Sequence, residues 1–427
     1  MDFSTTEDPQ KIAVEPLCRT VTHCRMCKSS RLTTYLDLGH TPPADQFRTK
    51  DELDLPEVWY PLRVLLCEEC GLSQLSHVVD PRVLYQHDYP YESSTTTTGK
   101  KHWDAFAEAV CTRLALPKES LVVDVGSNVG ILLASFREHG MNIVGIDPAS
   151  NIAKIANENG ILTYDEFFGH DIARAVEKKH GKAAVVVGTN VFAHIDDLDA
   201  MIKATLELLA PRGVFIFESP YLQPLVDHLE YDTVYHEHLS YLSFAPVVRF
   251  ARNFGLEVFA VEESAIHGGA FRVYMARKGE RETDPSVGLL LARETGTRLN
   301  ELGTLKAFAV RVEENRKAVT SLIGKLRAEG KEIVALSAPA KGMTLLNYCG
   351  ITNAHLSFAT EKSRLKIGRY TPGGHIPVVP DEELLSQSPD YALLLAWNFA
   401  PEIMANNSEF QKRGGKFIIP IPEPRIV

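Results

Sequence analysis

The sequence predicts an α/β chain built on a doubly wound parallel sheet, with a small cysteine-bearing lobe before it and a second α/β lobe after it. Three observations carry that expectation. Residues 121–147, LVVDVGSNVGILLASFREHGMNIVGID, read as a strand, a glycine turn, a helix and a second strand. Apolar runs of strand length alternate with helix-period segments from 121 to 276, and again from 332 to 421. Two C-x-x-C pairs, Cys24 with Cys27 and Cys67 with Cys70, precede both stretches.

Composition bounds the function. At 427 residues the chain has room for two or three domains, with 44% hydrophobic and 23% charged residues, as in an ordinary globular protein. A net charge of -10 argues against nucleic acid or an anionic membrane surface as the main partner. No apolar run reaches the roughly 18 residues of a membrane-spanning helix, and the polar start MDFSTTEDPQ is unlike a signal peptide, so a cytoplasmic protein is expected. Of the 7 cysteines, Cys18, Cys111 and Cys349 are scattered, a pattern that fits reduced thiols.

Taken in order, residues 1–95 form the first expected lobe. After a tail, each C-x-x-C knuckle presents two thiolates, and together Cys24, Cys27, Cys67 and Cys70 make a closed set for a structural Zn²⁺. Four protein ligands leave no open position for chemistry. The hydroxyl-rich segment HDYPYESSTTTTGK, 87–100, reads as a polar linker capping the next helix, or as a loop placing Tyr89 or Tyr91 in a cleft.

The second expected lobe spans 96–280. Strands are predicted at 121–125, 142–147, 161–164, 183–189 and 213–218, with helices between them. Two more, 256–261 and 270–276, are separated by Gly268-Gly269 and are open to antiparallel pairing. In the glycine turn, a dinucleotide fold wants a middle glycine against its pyrophosphate, and this chain has Asn128 there. S-adenosylmethionine has an adenosine and no phosphate, so Asp124, Gly126, Asn128, Gly130 and Asp147 point to that ligand, with Asp147 facing the ribose. Another nucleotide and a plain structural turn are the alternatives.

Ligands of open α/β sheets lie beyond the carboxyl ends of the strands, where the winding reverses. That rule gathers the glycine turn, the segment Asn190-Val191-Phe192-Ala193-His194 and the loop holding Tyr235-His236-Glu237-His238. The last cluster is not H-E-x-x-H, because position 240 is Ser240. Acid–base work fits it best, since neutral imidazole moves a proton near pH 7. A metal site and a satisfied structural network are the other readings. A methyl donor beside an imidazole allows oxygen methylation, or carbon methylation next to a ketone, which also needs donors at the enolate oxygen. The supply of donors in His194, Tyr235 and the tyrosines near 90 favours carbon.

The third expected lobe, 281–427, opens with a long or once-broken connector helix over 289–330 and continues as a second, Rossmann-like alternating unit. Its strands are predicted at 332–338, 356–360, 390–397 and 415–421. The turn Ser337-Ala338-Pro339-Ala340-Lys341 runs into a helix, and a helix start with one lysine can hold a diphosphate. The loop Arg369-Tyr370-Thr371-Pro372-Gly373-Gly374-His375 is placed to close on the same ligand. An ordinary capped helix and a hairpin are the alternative reading of the two segments.

Two C-x-x-C pairs, DVGSNVG, NVFAHI, YHEHLSYLS, APAKG with TLLNYCG, and GRYTPGGHIP occur here in one order. In these the chain resembles the sugar-nucleotide C-methyltransferases that act on dTDP-4-keto-deoxysugars. The resemblance implies a zinc-binding lobe, an S-adenosylmethionine-dependent methyltransferase sheet and a C-terminal lobe holding the nucleotide diphosphate. It implies His238 as general base, Tyr235 as its close partner, and Tyr89, Glu237 and His194 as residues that orient the sugar or stabilise the enolate. Lys341 and Asn347, joined by Arg369 and Tyr370 of the glycine-rich loop, fall on the sugar-nucleotide side. Thr360-Glu361-Lys362-Ser363 departs from an Asp-Arg-Asn-like strand tip, which leaves the base and sugar open. The rival functions are a sugar O-methyltransferase and a non-catalytic protein that binds S-adenosylmethionine or a sugar nucleotide.

Overall fold

The computed structural model describes residues 17–85 and 97–427. A seven-stranded sheet forms its centre, in the order Leu256–Ser264, Ala270–Arg277, Leu209–Pro220, Ala183–Thr189, Leu121–Val125, Asn142–Ile146, Thr163–Tyr164. The last five run parallel, and Ala270–Arg277 is antiparallel to both of its neighbours. Helices cover both faces of such a sheet, so its middle strands are apolar throughout rather than alternating. Val122, Val123, Val185, Val186, Val187, Phe215, Ile216 and Phe217 are all fully buried. The winding reverses between Leu121–Val125 and Ala183–Thr189, which puts the switch point beside the glycine turn.

The cysteine lobe is a four-stranded antiparallel sheet in the order Ser240–Tyr241, Ser73–Leu75, Tyr60–Cys67, Leu32–Thr41. Its edge strand is foreign to the lobe. Ser240–Tyr241 belongs to the segment that leaves the central strand Leu209–Pro220, and Leu239 alone separates it from His238. Strands of two residues have no periodicity to read, so this pairing was invisible in the sequence.

The connector is once-broken: helices Pro285–Thr297 and Leu302–Ala328 are separated at Arg298, whose φ of 55° ends the first. Asp284 caps the first helix through the Ser286 N–H, with Pro285 at its first position. The C-terminal sheet runs Val378–Pro380, Ala359–Glu361, Ile333–Leu336, Tyr391–Leu394, Lys416–Ile419, Arg425–Ile426, parallel except for the last strand. The two edge strands were not anticipated. The three sheets are not separate beads, because one apolar cluster extends from Val21 through the central strands to Ile421. Among the described residues, no helix is long and apolar enough to cross a membrane.

Candidate active site

The two cysteine knuckles fold alike. Lys28 N–H donates to the Cys24 carbonyl at 3.0 Å and Gly71 N–H to the Cys67 carbonyl at 2.8 Å, each at a residue of positive φ. The turns bring Cys24 Sγ within 3.5 Å of Cys70 Sγ, and Cys27 Sγ within 3.4 Å of Cys67 Sγ. All four sulfurs lie within 4.8 Å of one another. A tetrahedral ion with Zn–S bonds of about 2.3 Å spaces its sulfurs about 3.8 Å apart, so the donor set fits zinc. With four thiolates the ion holds the lobe together and takes no part in chemistry.

The glycine turn meets its expectation through φ and close approach. Gly126 has φ 70°, and a Cβ there would lie 2.1 Å from Val191 Cγ2. Asn128 sits at φ 50°, a conformation its short polar side chain tolerates, and its N–H donates to Asp147 Oδ2 at 2.9 Å. The Ala149 N–H occupies Asp147 Oδ1 at 2.9 Å, so a ribose hydroxyl would use the remaining lone pairs of that carboxylate. Asp124 Oδ1 and Asn190 Oδ1, at the tips of adjacent strands, are buried without a hydrogen-bond partner among the described residues. Burial and the neighbouring Asp147 push the Asp124 carboxyl well above the usual range. Buried acceptors are rarely left unpaired, and a ligand carrying hydroxyl and ammonium donors would satisfy these. The residues present fit S-adenosylmethionine.

The two loops beyond the next strands converge. Asn190, at φ 56°, turns the chain out of Ala183–Thr189 into the short 3-10 helix Phe192–His194. There the His194 ring centroid lies 4.9 Å from that of His238, and Tyr235 lies over His238 at 4.0 Å. The His238 tautomer follows from one contact: Nδ1 is 2.8 Å from the Thr233 carbonyl, which can only accept. Nδ1 therefore carries a proton, and whenever the ring is neutral its lone pair is on Nε2. Burial, reinforced by His238, holds His194 well below the ordinary histidine range, so His194 is neutral. Its Nε2 is buried without a hydrogen-bond partner among the described residues. Glu237 is buried, and its carbonyl accepts from Tyr85 Oη at 3.4 Å. Ser219, Thr233, His238 and Ser240 line a small cavity in which the Ser219 and Ser240 hydroxyls have no partner among the described residues.

His236 separates from its neighbours. Its Nε2 lies 3.3 Å from the Tyr60 carbonyl in the cysteine lobe, and burial pulls its pKa down to about 4. It is a neutral histidine held by the cysteine lobe, and the group of three or more metal-capable ligands found among the described residues is the four cysteines.

Several residues escaped sequence reasoning. Tyr85 Oη is 3.3 Å from His194 Nδ1, and the two rings stack at 6.1 Å. Thr233 sets the His238 tautomer through its backbone, which no side-chain pattern can reveal. Glu218, at the end of its strand, accepts from Asn190 N–H through its carbonyl at 2.7 Å. Burial pushes the Glu218 carboxyl up, but His102 at 2.6 Å and Arg272 at 2.8 Å outweigh it and hold the group ionised. This triad ties the helix Thr97–Leu114 to the strand tips. Tyr89, the expected sugar-orienting tyrosine, lies outside the described residues.

On the C-terminal side the arrangement differs from a plain diphosphate cradle. Lys341 Nζ is 3.5 Å from the buried Asp232 Oδ2 and lies over the Trp397 ring at 4.5 Å. Glu361 Oε2 accepts the Ala338 N–H at 3.2 Å, so a carboxylate already occupies the start of that helix. Asn347 Nδ2 donates to the Pro372 carbonyl at 3.3 Å and holds the glycine-rich loop. Tyr370 pairs with Arg48 of the cysteine lobe through two backbone hydrogen bonds, and Arg369 N–H donates to the Lys366 carbonyl. That loop therefore closes on the cysteine lobe as well as on its own.

Three family models match successive parts of the chain: "Putative zinc binding domain" over 24–85, "Methyltransferase domain" over 100–261 and "C-methyltransferase C-terminal domain" over 265–422. C-methyltransferase NovU from Streptomyces niveus is 36% identical over 415 residues, 97% of this chain and 99% of that protein. A ubiquinone biosynthesis O-methyltransferase from Cupriavidus pinatubonensis is 28% identical over 153 residues, 32% of this chain and 60% of that protein. The solved structure of magnesium protoporphyrin IX methyltransferase (ChlM) from Synechocystis PCC 6803 with bound SAM aligns at 15% identity and TM-score 0.32. It covers 42% of this chain and 79% of its own. With 36% identity to NovU over nearly the whole of both chains, the chain belongs to this C-methyltransferase family, as an S-adenosylmethionine-dependent enzyme with a zinc-binding lobe.

Proposed function

We propose that the protein methylates a carbon next to the ketone of a nucleotide-linked 4-keto-deoxysugar, with C3 as the carbon and a dTDP-linked sugar as the substrate. His238 Nε2 removes the C3 proton, and the C–H electron pair passes into an enolate with its charge on the C4 oxygen. S-adenosylmethionine, held by Asp124, Gly126, Asn128, Gly130, Asp147 and Asn190, supplies an electrophilic methyl group. Tyr235 and His194 stabilise the enolate oxygen, and Tyr89 and Glu237 orient the sugar. Tyr85 has one hydroxyl proton, and when it turns from the Glu237 carbonyl to His194 Nδ1 the His194 proton sits on Nε2, which makes that nitrogen a donor. In this reading residues 1–95 carry zinc, 96–280 hold the methyl donor, and 281–427 take the nucleotide through Lys341, Asn347, Arg369 and Tyr370.

The observation that carries the reading is the 2.8 Å contact from His238 Nδ1 to the Thr233 carbonyl, which leaves Nε2 basic beside two further donors. Oxygen methylation is the alternative, and a panel of substrates separates the two. A dTDP-4-keto-6-deoxysugar should gain one methyl on carbon, located by NMR of the product, while its 4-hydroxy counterpart should gain none. Methylation of the 4-hydroxy sugar on oxygen would contradict the proposal.

A further inference from the structure

We infer that Arg25, between the two cysteines of the first knuckle, is a positioning residue that fixes the spacing of the two active-site imidazoles. The inference rests on the proposed roles of His194 and His238. A zinc knuckle needs its cysteines and its turn, and the residue between them has no duty toward the ion. Arg25 is nonetheless buried, its side chain 3% exposed, and burying a guanidinium is costly unless its hydrogens are used.

Nε and Nη1 are used, the first on the loop after His194 and the second on the strand Ser73–Leu75, which pairs with the segment beyond His238, while Nη2 has no partner among the described residues. Nε donates to Asp196 Oδ1 at 3.1 Å, two residues beyond His194. Nη1 donates to the Leu75 carbonyl at 3.2 Å, and the Leu75 N–H in turn donates to the Leu239 carbonyl at 2.9 Å, one residue beyond His238. The backbone of the same arginine donates to Gln74 Oε1 at 2.9 Å, and Gln74 is the register partner of Ser240. Arg25 thus spans the 190–196 loop and the strand that follows His238, with the knuckle as its rigid base. Arg19 and Lys28 add ion pairs to Asp196 and Asp199 on the same face. Arginine suits the task because its planar fork fixes two directions at once, whereas a lysine would satisfy charge without fixing geometry. Misplacing one reacting group by about 1 Å can cost about 100-fold in rate.

The test uses the full-length enzyme with zinc bound and the variants Arg25→Met, Arg25→Lys, Asp196→Asn and Arg25→Met/Asp196→Asn. Zinc content by elemental analysis should remain one ion per chain, and the affinity for S-adenosylhomocysteine should stay within about twofold of wild type, since its residues lie on the central sheet. The kcat for methyl transfer should fall about 10-fold or more in Arg25→Met and in Asp196→Asn, less in Arg25→Lys, and no further in the double variant. Unchanged kcat in both single variants would overturn the inference, as would a loss of activity that only tracks loss of zinc. If His238→Asn and His194→Asn also leave kcat intact, the proposed chemistry fails instead. If those two abolish it while Arg25→Met and Asp196→Asn do not, the positioning role alone is wrong.

Discussion

His236 and His238 stand two positions apart, yet their rings bond different carbonyls in different lobes. His236 reaches the Tyr60 carbonyl inside the cysteine lobe, and burial takes its pKa down to about 4. Unfolded, it would titrate near 6.5, so between those values the unfolded chain binds the extra proton. Stability should therefore fall as pH drops from about 6.5 towards 4, by up to about 3 kcal/mol from this residue. Urea midpoints measured across that range should show the slope, and His236→Gln should flatten it. His194, also depressed, leaves a residual slope in that variant. An identical slope in both proteins would remove His236 from the explanation. The dense cluster was legible because ionisable residues crowd one loop, but the different settings of the two imidazoles depend on two carbonyls, at Tyr60 and Thr233, that sequence does not display. The Arg25–Asp196 pair was hidden for a related reason, since long-range pairing of ordinary charged residues has no pattern.

The glycine turn is constrained by backbone and packing together. Gly126→Ala would put a methyl group 2.1 Å from Val191 Cγ2 at a φ of 70°. Gly160 has a similar φ of 74° with nothing within 4 Å of its Cβ position, so Gly160→Ala measures the backbone strain alone. That strain should cost about 1–2 kcal/mol, and Gly126→Ala should cost clearly more. Gly126→Ala should also weaken S-adenosylhomocysteine binding about 10-fold, by isothermal titration, while Gly160→Ala leaves it unchanged. Equal effects in the two would mean that the close approach to Val191 is unimportant. The central strands were readable because they are buried on both faces and appear as unbroken apolar runs. Val378–Pro380 and Arg425–Ile426 were not, since two or three edge residues carry no period, and their pairing is decided by the rest of the sheet. At the Ser337–Lys341 turn Glu361 and Asp232 supply acidic partners, distant in sequence and so without a pattern to read.

At the scale of the whole molecule, the zinc lobe is a frame for the active site rather than an appendage. The strand after His238 is hydrogen-bonded into its sheet, and one apolar cluster passes through all three lobes. Stripping zinc with a chelator should release one ion per chain and abolish methyl transfer, yet leave S-adenosylhomocysteine binding within about tenfold, because that site is built on the central strands. Full activity in a zinc-free preparation would show that the frame stands without its ion. The central claim is that His238 Nε2 takes a proton from carbon. Incubating wild type and His238→Asn with the keto sugar nucleotide and S-adenosylhomocysteine in D₂O, and following deuterium at C3 by NMR, tests it without any methyl transfer. Wild type should exchange that position, and His238→Asn should do so about 100- to 10,000-fold more slowly with its S-adenosylhomocysteine affinity intact. Exchange at the wild-type rate in His238→Asn would contradict the account.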